Sequence, residues 1–212
     1  MIKAVLFDFD GTLIDTNELI FKSYRTAFRK VLNREIDDEE ILKLYGRPLR
    51  GSLMEYGEPG EMLYTVYREF NEAQHDLLAK PFEGVQEGLE EINKKGYKMG
   101  IVTSKRMPLV ERGLELLGIS AFFDVVITLE DTSKGKPDPE PLLLGCTKLS
   151  VLPEEAIYVG DSIFDMEAAK NADCKLCAVK YTLTDHKKIL SYNPDFFVET
   201  IKELADYLEE VD

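Results

Sequence analysis

Ala4-Val5-Leu6-Phe7-Asp8-Phe9-Asp10-Gly11-Thr12-Leu13-Ile14-Asp15 is the stretch whose reading decides the fold. Its four leading apolar residues are too few for a helix and hydrophobic enough to be covered on both faces, as in a strand of a parallel sheet. Two carboxylates follow two residues apart, and then Gly11 and Thr12. Residues i and i+2 share one side of a strand. Asp8 and Asp10 can therefore both sit at its C-terminal mouth, where open α/β sheets bind ligands. Gly11 permits a sharp exit, and Thr12 offers a hydroxyl and a backbone N–H to an anion. A carboxylate so placed can attack phosphorus, and a second can move the proton. Alone, an Asp-x-Asp is also a plain solvated turn; the downstream sequence has to decide.

The chain has 212 residues, 44% hydrophobic and 31% charged, which suits one α/β domain with a sizeable core plus a modest insertion. Its 26 basic and 40 acidic residues give a formal charge of −14. Such a surface repels nucleic acid and anionic membrane, so neither is expected as a partner. An anionic phosphate substrate would then need a metal ion and a few local cations to reverse the field inside its site. No apolar run approaches the roughly 18 residues of a membrane span. Met1-Ile2-Lys3 leads straight into the first strand, leaving no room for a signal peptide. Cys146, Cys174 and Cys177 are an odd, sparse set, which suggests reduced thiols and a cytoplasmic protein. Cys174 and Cys177 have the spacing of half a zinc site. There is no second pair, and the histidines are only His75 and His186, so Cys177 reads as small buried filling of a strand.

After Asp15 the periodicity becomes helical. Leu19, Ile20, Tyr24, Ala27, Phe28 and Val31 form one stripe, and Leu63, Val66, Tyr67, Phe70, Ala73, Leu77 and Leu78 form another. Asp37 or Asp38 is a good N-cap for a helix running to Tyr45. No strand signal occurs between residues 16 and 96, so residues 16–80 read as an all-helical insertion, with the main domain formed by 1–15 and 81–212. The later strands are Lys98–Val102, Val125–Thr128, Ala156–Val159, Leu176–Val179 and Phe196–Val198. Helices are expected over Val85–Lys95, Leu109–Leu117, Glu140–Leu149, Met166–Asn171 and from Ile201, with the acidic tail 209–212 as a solvated helix end. Strands alternating with helices at this spacing mean βαβ units and a parallel sheet covered on both faces.

Chemistry gathers at the strand ends. Asp8 and Asp10 follow the first strand, Thr103 and Ser104 the second, and Asp161 and Asp165 the fourth, while Lys136 lies on the loop after the third. Parallel strands bring all of these to one edge. Asp8, Asp10 and Asp161 offer hard oxygen ligands suited to Mg²⁺. Thr103 and Ser104 can bind phosphoryl oxygens, and Lys136 can offset charge building on them. Each position also has a plain structural explanation. Lys136 can be a surface lysine, Thr103-Ser104 a helix N-cap, and Asp161 and Asp165 acids at a positive helix start.

Asp8-Phe9-Asp10-Gly11-Thr12, Val102-Thr103-Ser104, Lys136-Pro137 and Gly160-Asp161-Ser162-x-x-Asp165 together resemble the four motifs of the haloacid dehalogenase superfamily, in order and across essentially the whole chain. The resemblance implies an α/β fold, a Rossmann-like parallel sheet core with an inserted all-helical cap domain whose closure around 14–17 and 80–84 excludes water. It implies Asp8 as nucleophile and Asp10 as acid/base and, through its carbonyl, a metal ligand. Asp161 is implied as a further ligand and Asp165 as a ligand or an orienting group. Superfamily dehalogenases lack the second Asp and the metal, so Asp10 favours phosphoryl transfer with Mg²⁺. Thr16–Ile20, Tyr67–Asn71, His75-Asp76 and Lys136–Pro141 are similar to the bacterial pyrophosphatases of the phosphoglycolate-phosphatase-like branch. Pyrophosphate is therefore the leading substrate, ahead of 2-phosphoglycolate or another small phosphomonoester. A β-phosphoglucomutase-like mutase ranks third, and a non-catalytic regulatory protein on the same fold last. Gly11, Thr12, Lys105, Arg47 and Arg50 join the candidate substrate contacts. The two arginines are equally readable as solvated surface, and Arg106 and His75 stay open. The oligomeric state is not readable from the sequence.

Overall fold

The computed structural model describes residues 1–208; the acidic tail 209–212, read above as a helix end, lies outside them. The chain divides into two compact units, one of residues 1–14 with 81 onward and one of residues 15–80. Its elements begin with β1 (Ala4–Phe7), β2 (Ile14–Asp15), α1 (Asn17–Leu32), α2 (Asp38–Leu44), α3 (Leu49–Met54), α4 (Gly60–Leu78) and β3 (Lys80–Pro81). There follow α5 (Val85–Lys94), β4 (Lys98–Val102), α6 (Met107–Leu117), β5 (Val125–Ile127), α7 (Glu140–Leu149) and β6 (Ala156–Gly160). The series closes with α8 (Ile163–Asn171), β7 (Lys175–Val179), α9 (His186–Leu190), β8 (Phe196–Val198) and α10 (Ile201–Tyr207).

The fold is α/β. Six strands pair in parallel in the order β5-β4-β1-β6-β7-β8. β1 is central, with Phe7 registered against Ile101 of β4 on one side and Val159 of β6 on the other. That register brings the C-terminal ends of β1, β4 and β6 side by side. The chain order reverses at β1, which makes this edge the topological switch point where such sheets bind ligands. All four β1 residues are fully buried. Ala4 and Leu6 join Tyr158, Leu142, Cys146 and Met166 in one apolar cluster. Val5 and Phe7, pointing the other way, are equally covered. This two-sided burial is why β1 is a continuous apolar run rather than an alternating one.

Residues 15–80 have their own core, in which Tyr24, Ala27 and Phe28 of α1 pack with Ile41, Leu53, Leu63 and Tyr67. Tyr24 meets Tyr67 edge-on at 4.8 Å between ring centroids, and Phe28 meets Tyr56 likewise at 5.0 Å. Asp37 caps α2 by accepting from the Glu40 N–H. The expected α4 stripe fails in its second half. The buried residues are Leu63, Tyr67, Asn71 and His75, whereas Leu77 is 75% exposed. A strict i+4 row turns two polar groups inward. Asn71 donates to Ser23 Oγ at 3.2 Å, and His75 Nδ1 lies 2.8 Å from Asp76.

Three further boundaries differ from the sequence pattern. β2 and β3 form a two-stranded sheet that no local alternation announces, because two residues are too few to show a period. α8 starts at Ile163 rather than Met166, since Ser162 is its N-cap. α9 had no periodic signal at five residues.

Gly88 on α5 offers a direct stability test. A Cβ there would come within 2.5 Å of the Ile201 backbone and 2.6 Å of Lys202 N on α10. Helix propensity alone would make Gly88→Ala stabilising by about 1 kcal/mol. The close helix approach instead predicts a net loss of about 1–3 kcal/mol from overpacking, readable as a lower urea midpoint. An unchanged or raised midpoint would contradict this packing.

Candidate active site

The edge formed by β1, β4 and β6 carries Asp8, Thr103 and Asp161 immediately beyond the strand ends. Asp8 N–H donates to Val159 O at 2.8 Å, and Thr103 N–H to Ile127 O at 2.9 Å, so the ladder still holds each backbone where its side chain leaves it. The chain then turns sharply at Gly11, whose φ of 77° is open to glycine. Thr12 Oγ1 is buried beside it with no hydrogen-bond partner.

Lys136 is 5% exposed rather than a surface lysine. Its Nζ lies 2.9 Å from Asp8 Oδ1 and 2.6 Å from Asp165 Oδ1, and donates to the Tyr158 hydroxyl at 2.9 Å. Burial works against the charged amine, but Asp165 and Asp8 outweigh it and hold the ammonium above its usual range. Burial pushes the Asp8 carboxyl up to about 7; Lys136 opposes that shift and the Asp165 charge adds to it. Asp165 is buried too, yet Lys136 and the Ser162 donors hold it below the ordinary carboxylate range.

Asp165 has a double role. Its Oδ2 accepts from Ser162 N–H at 2.9 Å, Ser162 Oγ at 2.6 Å and Asp161 N–H at 3.3 Å, completing a capping box at the start of α8. Its Oδ1 faces Lys136 and Tyr158. The carboxylate is thus held by donors on both oxygens, which suits an orienting group better than a direct ligand. Thr103 and Ser104 do not cap α6, whose N-cap is Arg106 with no side-chain bond. Thr103 Oγ1 instead accepts from the Lys105 N–H at 3.1 Å, leaving its own proton to donate. Ser104 is exposed. Lys105 Nζ reaches both oxygens of Asp10, at 2.8 and 3.0 Å, with its side chain 7% exposed.

Arg47 and Arg50 lie in the helical unit, where Arg47 pairs with Glu55 and Arg50 with Glu61 at 3.1 Å. Arg50 is exposed and Arg47 half-buried, the setting of ordinary surface ion pairs.

Asp8, Asp161 and Asp165 can each offer an oxygen within 4.8 Å of the others, all from buried side chains. Three buried carboxylates gather here beside the one ammonium of Lys136, which contacts two of them, and burial raises the cost of keeping Asp8 ionised. Hard oxygens in that deficit fit a divalent cation of the Mg²⁺ class.

Tyr158 is a site residue that the sequence did not announce. Set in an apolar strand, it reads as core, and only the register of Leu6 against Tyr158 brings its hydroxyl to Lys136. That hydroxyl also lies 2.9 Å from Val102 O and 3.1 Å from Asp165 Oδ1. Tyr158→Phe leaves buried Val102 O and Lys136 short of a partner, and a loss of about 1–3 kcal/mol in unfolding free energy is expected. Unfolding indistinguishable from wild type would mean that the hydroxyl is idle.

Residues 5–179 match the haloacid dehalogenase-like hydrolase family. The chain is 42% identical to the pyrophosphatase PpaX of Bacillus velezensis, over 96% of this chain and 94% of that protein. It is 47% identical, over all of this chain and 99% of the relative, to a Clostridium perfringens protein that carries the PpaX pyrophosphatase name provisionally. A haloacid dehalogenase-like family hydrolase from Streptococcus pneumoniae superposes with a TM-score of 0.88 at 24% identity, covering 98% of each chain, a likeness of fold alone. With a family match over residues 5–179 and relatives similar along the full length, the chain belongs to the haloacid dehalogenase-like hydrolases.

Proposed function

We propose that this protein is a Mg²⁺-dependent phosphohydrolase that works through an Asp8 phosphoenzyme and takes inorganic pyrophosphate as its substrate. The observation that carries the chemistry is the buried Asp8, with Lys136 at 2.9 Å and Asp161 and Asp165 close by. The PpaX relatives, similar along the whole chain, carry the substrate.

Asp8 Oδ attacks one phosphorus as the bridging P–O bond breaks, and Asp10 protonates the departing phosphate oxygen. Asp10 then takes a proton from water, whose oxygen attacks the phosphorus and releases the Asp8 carboxylate. Lys136 keeps its charge throughout and offsets the anion that builds on the phosphoryl oxygens. Thr103 donates its free hydroxyl proton to one of them. Lys105 fixes the orientation of Asp10 and adds a second cation to an otherwise acidic edge. Asp8, the Asp10 carbonyl and Asp161 would hold the metal, with Asp165 orienting; when bound, Mg²⁺ masks the repulsion between nucleophile and substrate and polarises phosphorus.

Initial rates of phosphate release with Mg²⁺ should favour pyrophosphate over 2-phosphoglycolate and β-glucose 1-phosphate by about tenfold or more in kcat/KM, or ~1.4 kcal/mol at the transition state. EDTA should abolish them. A preference for phosphoglycolate would leave the chemistry standing and overturn the substrate. Asp8→Asn should lose turnover with its thermal unfolding intact, whereas wild-type turnover in that variant would remove Asp8 as nucleophile.

A further inference from the structure

Two consecutive residues outside the motif segments grip both acidic loops of the site. Tyr181 and Thr182 lie in the loop after β7. The Tyr181 hydroxyl donates to the backbone oxygen of Thr12 at 2.7 Å, in the turn that follows Asp8 and Asp10. Its ring lies against Phe82 at 4.4 Å between centroids. The Thr182 hydroxyl donates to the backbone oxygen of Asp161 and accepts from the Thr184 N–H at 2.9 Å. A threonine hydroxyl has one proton, so the Asp161 carboxylate oxygen, 3.4 Å away, is a neighbour rather than a second acceptor.

The backbone of Asp161 is consequently held from both sides. Its N–H goes to Asp165 and its carbonyl to Thr182. The Thr12 carbonyl is held in the same way from Tyr181, one residue earlier on the same loop. Beyond the β1–β6 ladder, the Asp8–Thr12 turn and Asp161 are thus bridged by one short piece of chain, Tyr181-Thr182, that carries no carboxylate of its own.

We infer that Thr182 and Tyr181 are positioning residues for the metal-binding carboxylates, and that Thr182 sets the affinity of Asp161 for the divalent cation. The inference rests on the metal reading given above. Groups that orient ligands from behind typically change metal affinity by about 10–100-fold when removed. A residue that merely stabilised the loop would lower stability and leave metal affinity alone.

The test uses the full chain stripped of metal by chelator and titrated with MgCl₂ in calorimetry and in thermal unfolding. Thr182→Val, which keeps the shape and loses the hydroxyl, should weaken Mg²⁺ binding by about 10–100-fold and shrink the Mg²⁺-induced rise in Tm, measured from each variant's own metal-free Tm. Thr182→Ser should restore binding. Tyr181→Phe, which keeps the ring against Phe82, should weaken binding in the same direction and covers the case in which Thr182→Val does not fold. Wild-type Mg²⁺ affinity in Thr182→Val, or a lowered metal-free Tm with unchanged affinity, would overturn the inference. A wild-type protein that binds no Mg²⁺ would instead bring down the metal reading itself, and this inference with it.

Discussion

Lys136 bridges two buried carboxylates, and the active edge depends on that contact. At 2.9 Å from Asp8 and 2.6 Å from Asp165, its ammonium offsets the repulsion that two carboxylates would otherwise feel so close together in a low-dielectric interior. Such a group is costly to desolvate, and hydrogen bonds to the lysine and to both oxygens of Asp165 offset that cost. Tyr158 accepts from Lys136, and Ser162 and the Asp161 N–H saturate the far oxygen of Asp165. The sheet supplies the precision. β1 lies between β4 and β6, so residues distant in sequence leave their strands at one edge.

Much of this was legible from residue types. A fully buried parallel strand must be apolar throughout, so Ala4–Phe7 could be placed before any pairing was known. The alternation of strands and helices then fixed the class of fold. Asp8, Thr103 and Asp161 stood out because a polar group directly after a buried strand has few other places to go. The double duty of Asp165 was harder to see, since a capping box and a lysine partner leave the same letter at the same spacing.

What stayed hidden has a common cause. Tyr158, Tyr181 and Thr182 act through a hydroxyl whose partner lies on a distant strand or loop. An aromatic in an apolar strand looks like filling until its register against Leu6 is known. In α4, Asn71 and His75 face inward in place of Ala73 and Leu77, because Ser23 and Asp76 offer them partners that periodicity does not record. The acidic surface tells a similar story. A net charge of −14 describes the whole chain, yet the site edge gathers Lys105 and Lys136 where an anion would bind.

The most direct test of the account is to quench the enzyme with acid during turnover of labelled pyrophosphate and map the covalent phosphate by peptide mass spectrometry. The account predicts a hydroxylamine-labile phosphoryl group on Asp8, formed and lost at rates compatible with turnover. Turnover with no covalent phosphate at any stage, or with the label on another residue, would contradict it.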